Sequence, residues 1–373
     1  MSSDKFILEL SLLRPADIIL TGNKTLTSLG IRAATASRYS HAALYIGGTT
    51  IEATLDGVFS KSPQRLLFDR PTDVLVLRSK RPLSRDEAQA ICDYAQSKVG
   101  SLYSIPEAIT VKARSLLNHK DSDRQFCSRL VAKSFEHANF DLMNLRSPAF
   151  CTPRQLSLCK AFEAVEGVVR PASAQEIAFA MTEDPAQENL RQTYEWLGKV
   201  RKLVAQTPEL AKKWDIQAQN DVNGLLVAHP EYDDQISEFL KSSGYLEFYT
   251  IDSRKNPHRY KADLFLARLK RTREPDEFID SELSKEPDLF RRYGIMQHNL
   301  ATLYKETNLN FFRLLVQLYN NMINEILTRI TVVKSTLRTL RLNEQANSLN
   351  PMINAVKALV REGREVLRGV PPT

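Results

Sequence analysis

Short apolar runs fill the first part of this chain, and long amphipathic ones fill the rest. Up to Pro171 the apolar positions come in brief stretches bounded by turn residues: Ala16 to Leu20, Ala42 to Ile46, Thr50 to Ala53 and Asp73 to Arg78. Stretches of that length read as strands. Gly47 and Gly48 separate the second from the third, and a Gly-Gly pair supplies the positive φ angles of a tight hairpin turn, so these two strands pair antiparallel. After the fourth strand, Ser84-Arg85-Asp86-Glu87 has the capping-box spacing that opens a helix, and Gly100 is placed to end it. The pattern predicts further helices over Pro106 to Leu117 and Gln125 to Ala138. In the second of these Leu130, Val131 and Phe135 fall on one face. Phe162 to Val169 is the last strand-like piece.

Beyond Pro171 the texture changes. Glu188 to Val204, Gln235 to Lys241, Tyr260 to Leu269, Phe311 to Leu340 and Ile353 to Leu367 favour helix formers with charged faces. Leu314, Leu315, Leu318, Met322, Ile326 and Ile330 recur at three- and four-residue steps, the stripe of one long amphipathic helix that packs in a core or, as the alternative, against a partner helix. Leu246 to Ile251 is the one strand candidate of this half, and Arg271 to Pro287 reads as a charged connector. A chain of 373 residues exceeds one ordinary core. The expectation is an α+β domain over 1–172, followed by a mainly α-helical domain of unknown role over 173–373.

Composition changes this picture little, since 43% hydrophobic and 25% charged residues are ordinary for a globular chain. The net charge of +7 sits unevenly: residues 1–175 carry 23 Lys and Arg against 17 Asp and Glu, and the remainder 28 against 27. No basic run is interleaved with aromatics, so no nucleic-acid partner is expected. The first ten residues place Asp4 and Glu9 where an export signal would be apolar, and the stretch Asn308 to Val333 is broken by Arg313, Glu325 and Arg329. A cytoplasmic protein without a secretory signal peptide or transmembrane segment is expected, with signal-less secretion open.

Cysteine usage narrows the chemistry. Cys92, Cys127, Cys151 and Cys159 include no Cys-x-x-Cys pair, which disfavours a disulfide framework and a zinc site. Cys127 falls in the predicted first turn of a helix, where unpaired N–H groups and the helix dipole lower a thiol pKa. His41 opens a strand of small and apolar residues, and Glu52 lies between Ile51 and Ala53 in the next. A buried carboxylate needs a partner. With Gly47 and Gly48 as the central turn residues, Glu52 faces Ala43 and His41 faces Thr54, which makes His41 and Glu52 diagonal neighbours on one face of the hairpin. A thiol at a helix start, a histidine and an orienting carboxylate are the parts of a thiol acyl-transfer site.

The strings Ala-Asp-Ile-Ile-Leu, Ser-His-Ala-Ala-Leu-Tyr-Ile-Gly, Ile-Glu-Ala, Gly100-Ser-Leu-Tyr103 and Phe-Cys-Ser-Arg-Leu-Val together resemble the permuted papain-like amidases related to NlpC, of the YiiX/YebB-like group. The resemblance covers about residues 12 to 170 and implies a circularly permuted papain-like (NlpC-type) domain whose catalytic order is His, acid, Cys. It implies Cys127, His41 and Glu52 as the catalytic triad. Tyr103 matches a tyrosine that the family places near the site, where it would position the substrate or the oxyanion. Tyr39 is a candidate for lining the same groove, and Cys151, in Ser-Pro-Ala-Phe-Cys-Thr-Pro153, is structural. Two departures stand out: Ala16 replaces the glycine usual before Asp17, and Arg129 replaces the acid that often follows Cys-Ser. Arg129 changes the charge beside the site.

The function implied is a cysteine hydrolase that cleaves an amide bond of peptide or peptidoglycan type through a thioester acyl-enzyme, with no metal or organic cofactor required. Lipid acyl transfer or deacylation of the lecithin:retinol acyltransferase-like type is the alternative within catalysis, although those enzymes usually carry a second histidine in place of the acid. A catalytically silent binding module is the alternative outside it. The helical domain offers a surface for a protein partner.

Overall fold

The computed structural model describes residues 5–22, 38–102, 126–142, 145, 147–182 and 184–369. The chain divides into two compact units, one of residues 1–197 with 201–222 and the other of 198–200 with 223–373. Tyr103 and the helix expected over Pro106 to Leu117 lie outside the described residues.

The first unit is built on a six-stranded antiparallel sheet. Its strands are β2 (Ile18–Thr21), β3 (His41–Tyr45), β4 (Thr50–Thr54), β5 (Gly57–Lys61), β6 (Val74–Ser79) and β7 (Phe162–Ala164), in the order β5-β4-β3-β2-β6-β7. A two-stranded sheet pairs β1 (Phe6–Leu8) with β8 (Val169–Pro171). The strand-like piece expected over Phe162 to Val169 is thus two strands in two sheets, parted at Gly167, whose φ of 69° turns the chain. Among the described residues, three helices flank the sheet in sequence: α1 (Arg85–Ser97), α2 (Cys127–His137) and the short α3 (Pro153–Ser157). The Ser84 hydroxyl caps Glu87 N–H, and the Glu87 carboxylate accepts from Ser84 N–H in return.

Strand alternation sorts two cores. Ala42, Leu44, Ile51 and Ala53 point into one core with Ile91 of α1 and Leu130, Val131 and Phe135 of α2. Ala43 and Tyr45 point the other way, to Leu8, Phe68, Val76 and Val168. Burial on both faces explains why these strands read as unbroken apolar runs.

This unit also takes in the helices after β8: α4 (Ala174–Ala180), most of α5 (Pro185–Gln206) and α6 (Pro208–Ala211). Specific bonds hold them. The Tyr194 hydroxyl donates to Ser101 O at 2.9 Å, Arg201 Nη2 donates to Gly100 O at 2.6 Å, and Gln217 Oε1 accepts from Leu102 N–H at 3.1 Å. No apolar periodicity announces such contacts.

The described residues of the second unit form helices and 3-10 turns. After α7 (Gln219–Ala228) and α8 (Asp233–Ser242), Leu246 to Ile251 is not a strand but a 3-10 turn, Tyr245–Glu247, leading to α9 (Thr250–Lys255). Left-handed Gly244 opens this segment, and the rings of Tyr245 and Phe248 meet at 5.4 Å, the contact of residues three apart on a helical turn. α10 (Ala262–Leu269) follows. Arg271 to Pro287 is likewise no connector: it contains α11 (Pro275–Leu283), with proline in its first turn and the Phe278 ring tilted against that of Phe265 at 5.3 Å. Acidic residues on its outer face mask that apolar edge in the sequence. α12 (Glu286–Thr307), α13 (Asn310–Thr339), α14 (Asn343–Ser348) and α15 (Asn350–Gly369) complete the unit. Of the stripe expected on α13, Leu315, Leu318, Met322, Ile326 and Ile330 are buried, and Leu314 is half-buried. No helix of the described residues is long and apolar enough to cross a membrane.

Candidate active site

The hairpin fixes two of the three candidate residues. Ile46 N–H donates to Thr49 O at 2.9 Å across Gly47 and Gly48, whose φ angles of 87° and 78° make the predicted tight turn. The register that follows pairs Tyr45 with Thr50, Leu44 with Ile51 and Ala43 with Glu52. His41 and Glu52 therefore share a face, and His41 Nε2 lies 2.7 Å from Glu52 Oε2. Glu52 is 6% exposed, which answers the question of how a carboxylate is tolerated there: the imidazole is its partner.

The third residue arrives on α2, packed against β3 and β4. Its N-cap is Phe126, which brings no side-chain acceptor, so the first-turn N–H groups are not consumed by a cap of that kind. Cys127 begins the helix, 4% exposed. Its sulfur is hydrogen-bonded to His41 and receives the backbone N–H groups of Ala42 and Ser128.

Electrostatics within this group favour a charged pair. Burial raises the Cys127 pKa, but the His41 hydrogen bond and charge and the two backbone N–H groups outweigh it, so the thiol ionises below its ordinary 9.0. For His41 burial disfavours the cation, yet the bonds to Cys127 and Glu52 push its pKa up from 6.5 to about 10. Burial acts to raise Glu52 too, and the hydrogen bond and charge of His41, with the charge of Lys61, leave its pKa below the ordinary 4.5. All three shifts run in the direction of a thiolate beside an imidazolium beside a carboxylate.

Neighbouring residues separate into those that brace and those that react. Arg129 is 1% exposed, donates from Nε to Ala149 O at 2.8 Å, and lies 4.8 Å and 5.4 Å from the ring centroids of Phe126 and Phe150. It ties α2 to the 147–153 segment, two residues along the helix from Cys127. Ser128 Oγ adds a bond to Cys151 O at 2.7 Å. Cys151 is fully buried, and burial raises its pKa well above the usual thiol range, as suits a structural residue. Tyr39 is half-buried against the core that holds α2.

One participant escaped the sequence reading. Lys61 Nζ stands 3.9 Å from Glu52 Oε1, on a strand, β5, that was not expected. Its signal was available, because Asp56-Gly57 is a tight-turn dipeptide and Gly57 has a φ of 105°. Elsewhere in the unit, a cavity of about 560 Å³ opens beside Leu10, Glu9, Arg170, Glu176 and Phe179, away from the three residues above. Its charges are already paired, Arg170 with Glu9 at 2.7 Å and Glu176 at 2.6 Å. Among the described residues no group of three or more His, Cys, Asp and Glu forms a metal-binding cluster.

Residues 13–147, which span the hairpin and Cys127, match the family model described as permuted papain-like amidase enzyme, YaeF/YiiX, C92 family. This stretch belongs to the permuted papain-like amidases. The chain is also similar to the crystal structure of metalloprotein yiiX from Escherichia coli O157:H7, at 19% identity over 41% of this chain and 96% of that one, with a TM-score of 0.32. No curated protein matches the chain. The match stops short of the helices that follow, so it covers β2 to β6, α1 and α2 and leaves β7 and the second unit outside it.

Proposed function

We propose that the amidase domain is a cysteine hydrolase that cleaves an amide bond of peptide or peptidoglycan type through a thioester intermediate. The observation that carries this reading is the 2.7 Å contact of His41 with Glu52, in a group whose sulfur is hydrogen-bonded to the same imidazole. Cys127 Sγ attacks the carbonyl carbon of the scissile amide, and the carbonyl oxygen takes up negative charge. Backbone N–H groups at the start of α2 are suited to receive that charge. His41 gives its proton to the leaving amine as the carbon–nitrogen bond breaks, and the acyl group remains on sulfur. A water molecule, deprotonated by His41, then releases the acid and restores the thiolate. With Nε2 held by Glu52, Nδ1 is the ring nitrogen left to exchange these protons.

Glu52 orients the ring and balances its charge rather than taking the proton, the role the acid plays in such triads. Tyr103, by resemblance, contributes to binding the substrate or the oxyanion.

Incubation of the whole chain with muropeptides and, separately, with phospholipids, read by mass spectrometry, tests the reading. Amide products from the wild type and none from Cys127→Ala, at an almost unchanged unfolding temperature, are expected. Turnover retained by Cys127→Ala overturns it, and deacylated phospholipid as the product replaces amide cleavage with the lipid chemistry.

A further inference from the structure

Glu52 has two oxygens, and the imidazole takes only one of them. Oε2 meets His41 at 2.7 Å, while Oε1 faces Lys61 Nζ at 3.9 Å, beyond hydrogen-bonding reach but within the range of an ion pair. The carboxylate side chain is 8% exposed, whereas that of Lys61 is 33% exposed. A buried anion is thus bracketed by two cations, one of which keeps its hydration.

The backbone holds Lys61 in place by means unrelated to its charge. Lys61 pairs with Thr50 across β4 and β5, and its carbonyl accepts from both Thr50 Oγ1 at 2.9 Å and Thr49 Oγ1 at 3.0 Å. On the same strand pair Glu52 faces Phe59, so Lys61 is the diagonal neighbour of Glu52 on one face of the sheet. Two hydroxyls bonded to one carbonyl at the end of an edge strand fix the Lys61 backbone beside Glu52.

We propose that Lys61 is a positioning residue that keeps Glu52 ionised and aligned on its Oε1 side, and so sustains the thiolate–imidazolium pair. The inference rests on the triad reading given above. Loss of the Lys61 charge makes the buried carboxylate easier to protonate, since an anion in a water-poor site depends on every nearby cation. A protonated Glu52 no longer balances the imidazolium, and the proton of the pair returns to sulfur. Lys61 acts only through Glu52 in this scheme and touches neither sulfur nor substrate.

Alkylation of Cys127 by iodoacetamide, followed by peptide mapping as a function of pH on the full chain, reads this directly. Lys61→Met is expected to move the acid limb of the labelling profile upward by about half to one pH unit, the effect of one partly exposed charge at such a distance. Lys61→Arg should leave it in place. In a Glu52→Gln background, Lys61→Met should have no effect on the limb. A Lys61→Met profile that superimposes on the wild type, or an equal shift with and without the Glu52 carboxylate, overturns the role of Lys61 while leaving the triad standing. Absence of any wild-type labelling below the ordinary thiol range overturns both. Lys61→Gln repeats the test should Lys61→Met fold poorly.

Discussion

The residue before Asp17 shows what a single departure from a family pattern costs. Ala16, where the related enzymes usually carry glycine, has a φ of 72°, a left-handed conformation in which Cβ crowds the following carbonyl. The strain is tolerated because the turn it makes is needed. Ala16 N–H donates to Tyr45 O at 2.8 Å, and Asp17, 1% exposed, accepts from Arg14 N–H and from Arg78 Nε, both at 2.8 Å. The turn thereby locks β2 to the strand that begins with His41. Ala16→Gly relieves the crowding and should stabilise the protein by up to about 1 kcal/mol, measured by urea unfolding, with no loss of Cys127 reactivity. Destabilisation would show that the left-handed turn is not strained.

At the scale of elements, legibility followed periodicity. The hairpin register, with Glu52 opposite Ala43, could be read from the two glycines that form the turn, because in a hairpin the turn fixes which residues pair. Helix α2 was legible from Leu130, Val131 and Phe135. Helix α12, 22 residues long, was not, because its inward face includes Gln297 among Leu300 and Tyr304 and so breaks the apolar stripe. Gln297 is 2% exposed and donates to Asn320 of α13 at 3.2 Å, and Gly363 of α15 leaves the space this pair occupies. A Cβ at Gly363 would meet Asn320 Oδ1 at 2.6 Å, besides Gln297 Nε2. An exposed helical Gly→Ala change gains about 1 kcal/mol from propensity, whereas here the displaced polar pair should reverse the sign. Gly363→Ala is expected to lower stability by about 1 to 3 kcal/mol in urea unfolding, the range for leaving buried polar groups unsatisfied. An increase would mean that the three helices do not meet as described.

For the whole molecule, the sequence shows which side chains could do chemistry but not that they meet. His41 and Glu52 are 11 residues apart and joined by a turn that dictates their pairing, while Cys127 is brought to them by the packing of α2 on the sheet, which no local pattern encodes. The same limit hid Lys61, whose approach to Glu52 depends on a strand beyond the hairpin, and the contacts that draw Tyr194, Arg201 and Gln217 into the first unit. The resemblance bridged the gap for the sulfur because its motifs already contain the convergence, and it offered nothing for the second unit. Direct detection of the ionised sulfur, by thiolate absorbance of the wild type minus Cys127→Ser across pH, tests the convergence itself. The account predicts that thiolate absorbance appears below the ordinary thiol range, since the hydrogen bond and charge of His41 and two backbone N–H groups lower the Cys127 pKa, and predicts that His41→Asn moves this onset back up. A thiolate that appears only as pH climbs through the ordinary thiol range, alike in the wild type and His41→Asn, would contradict it.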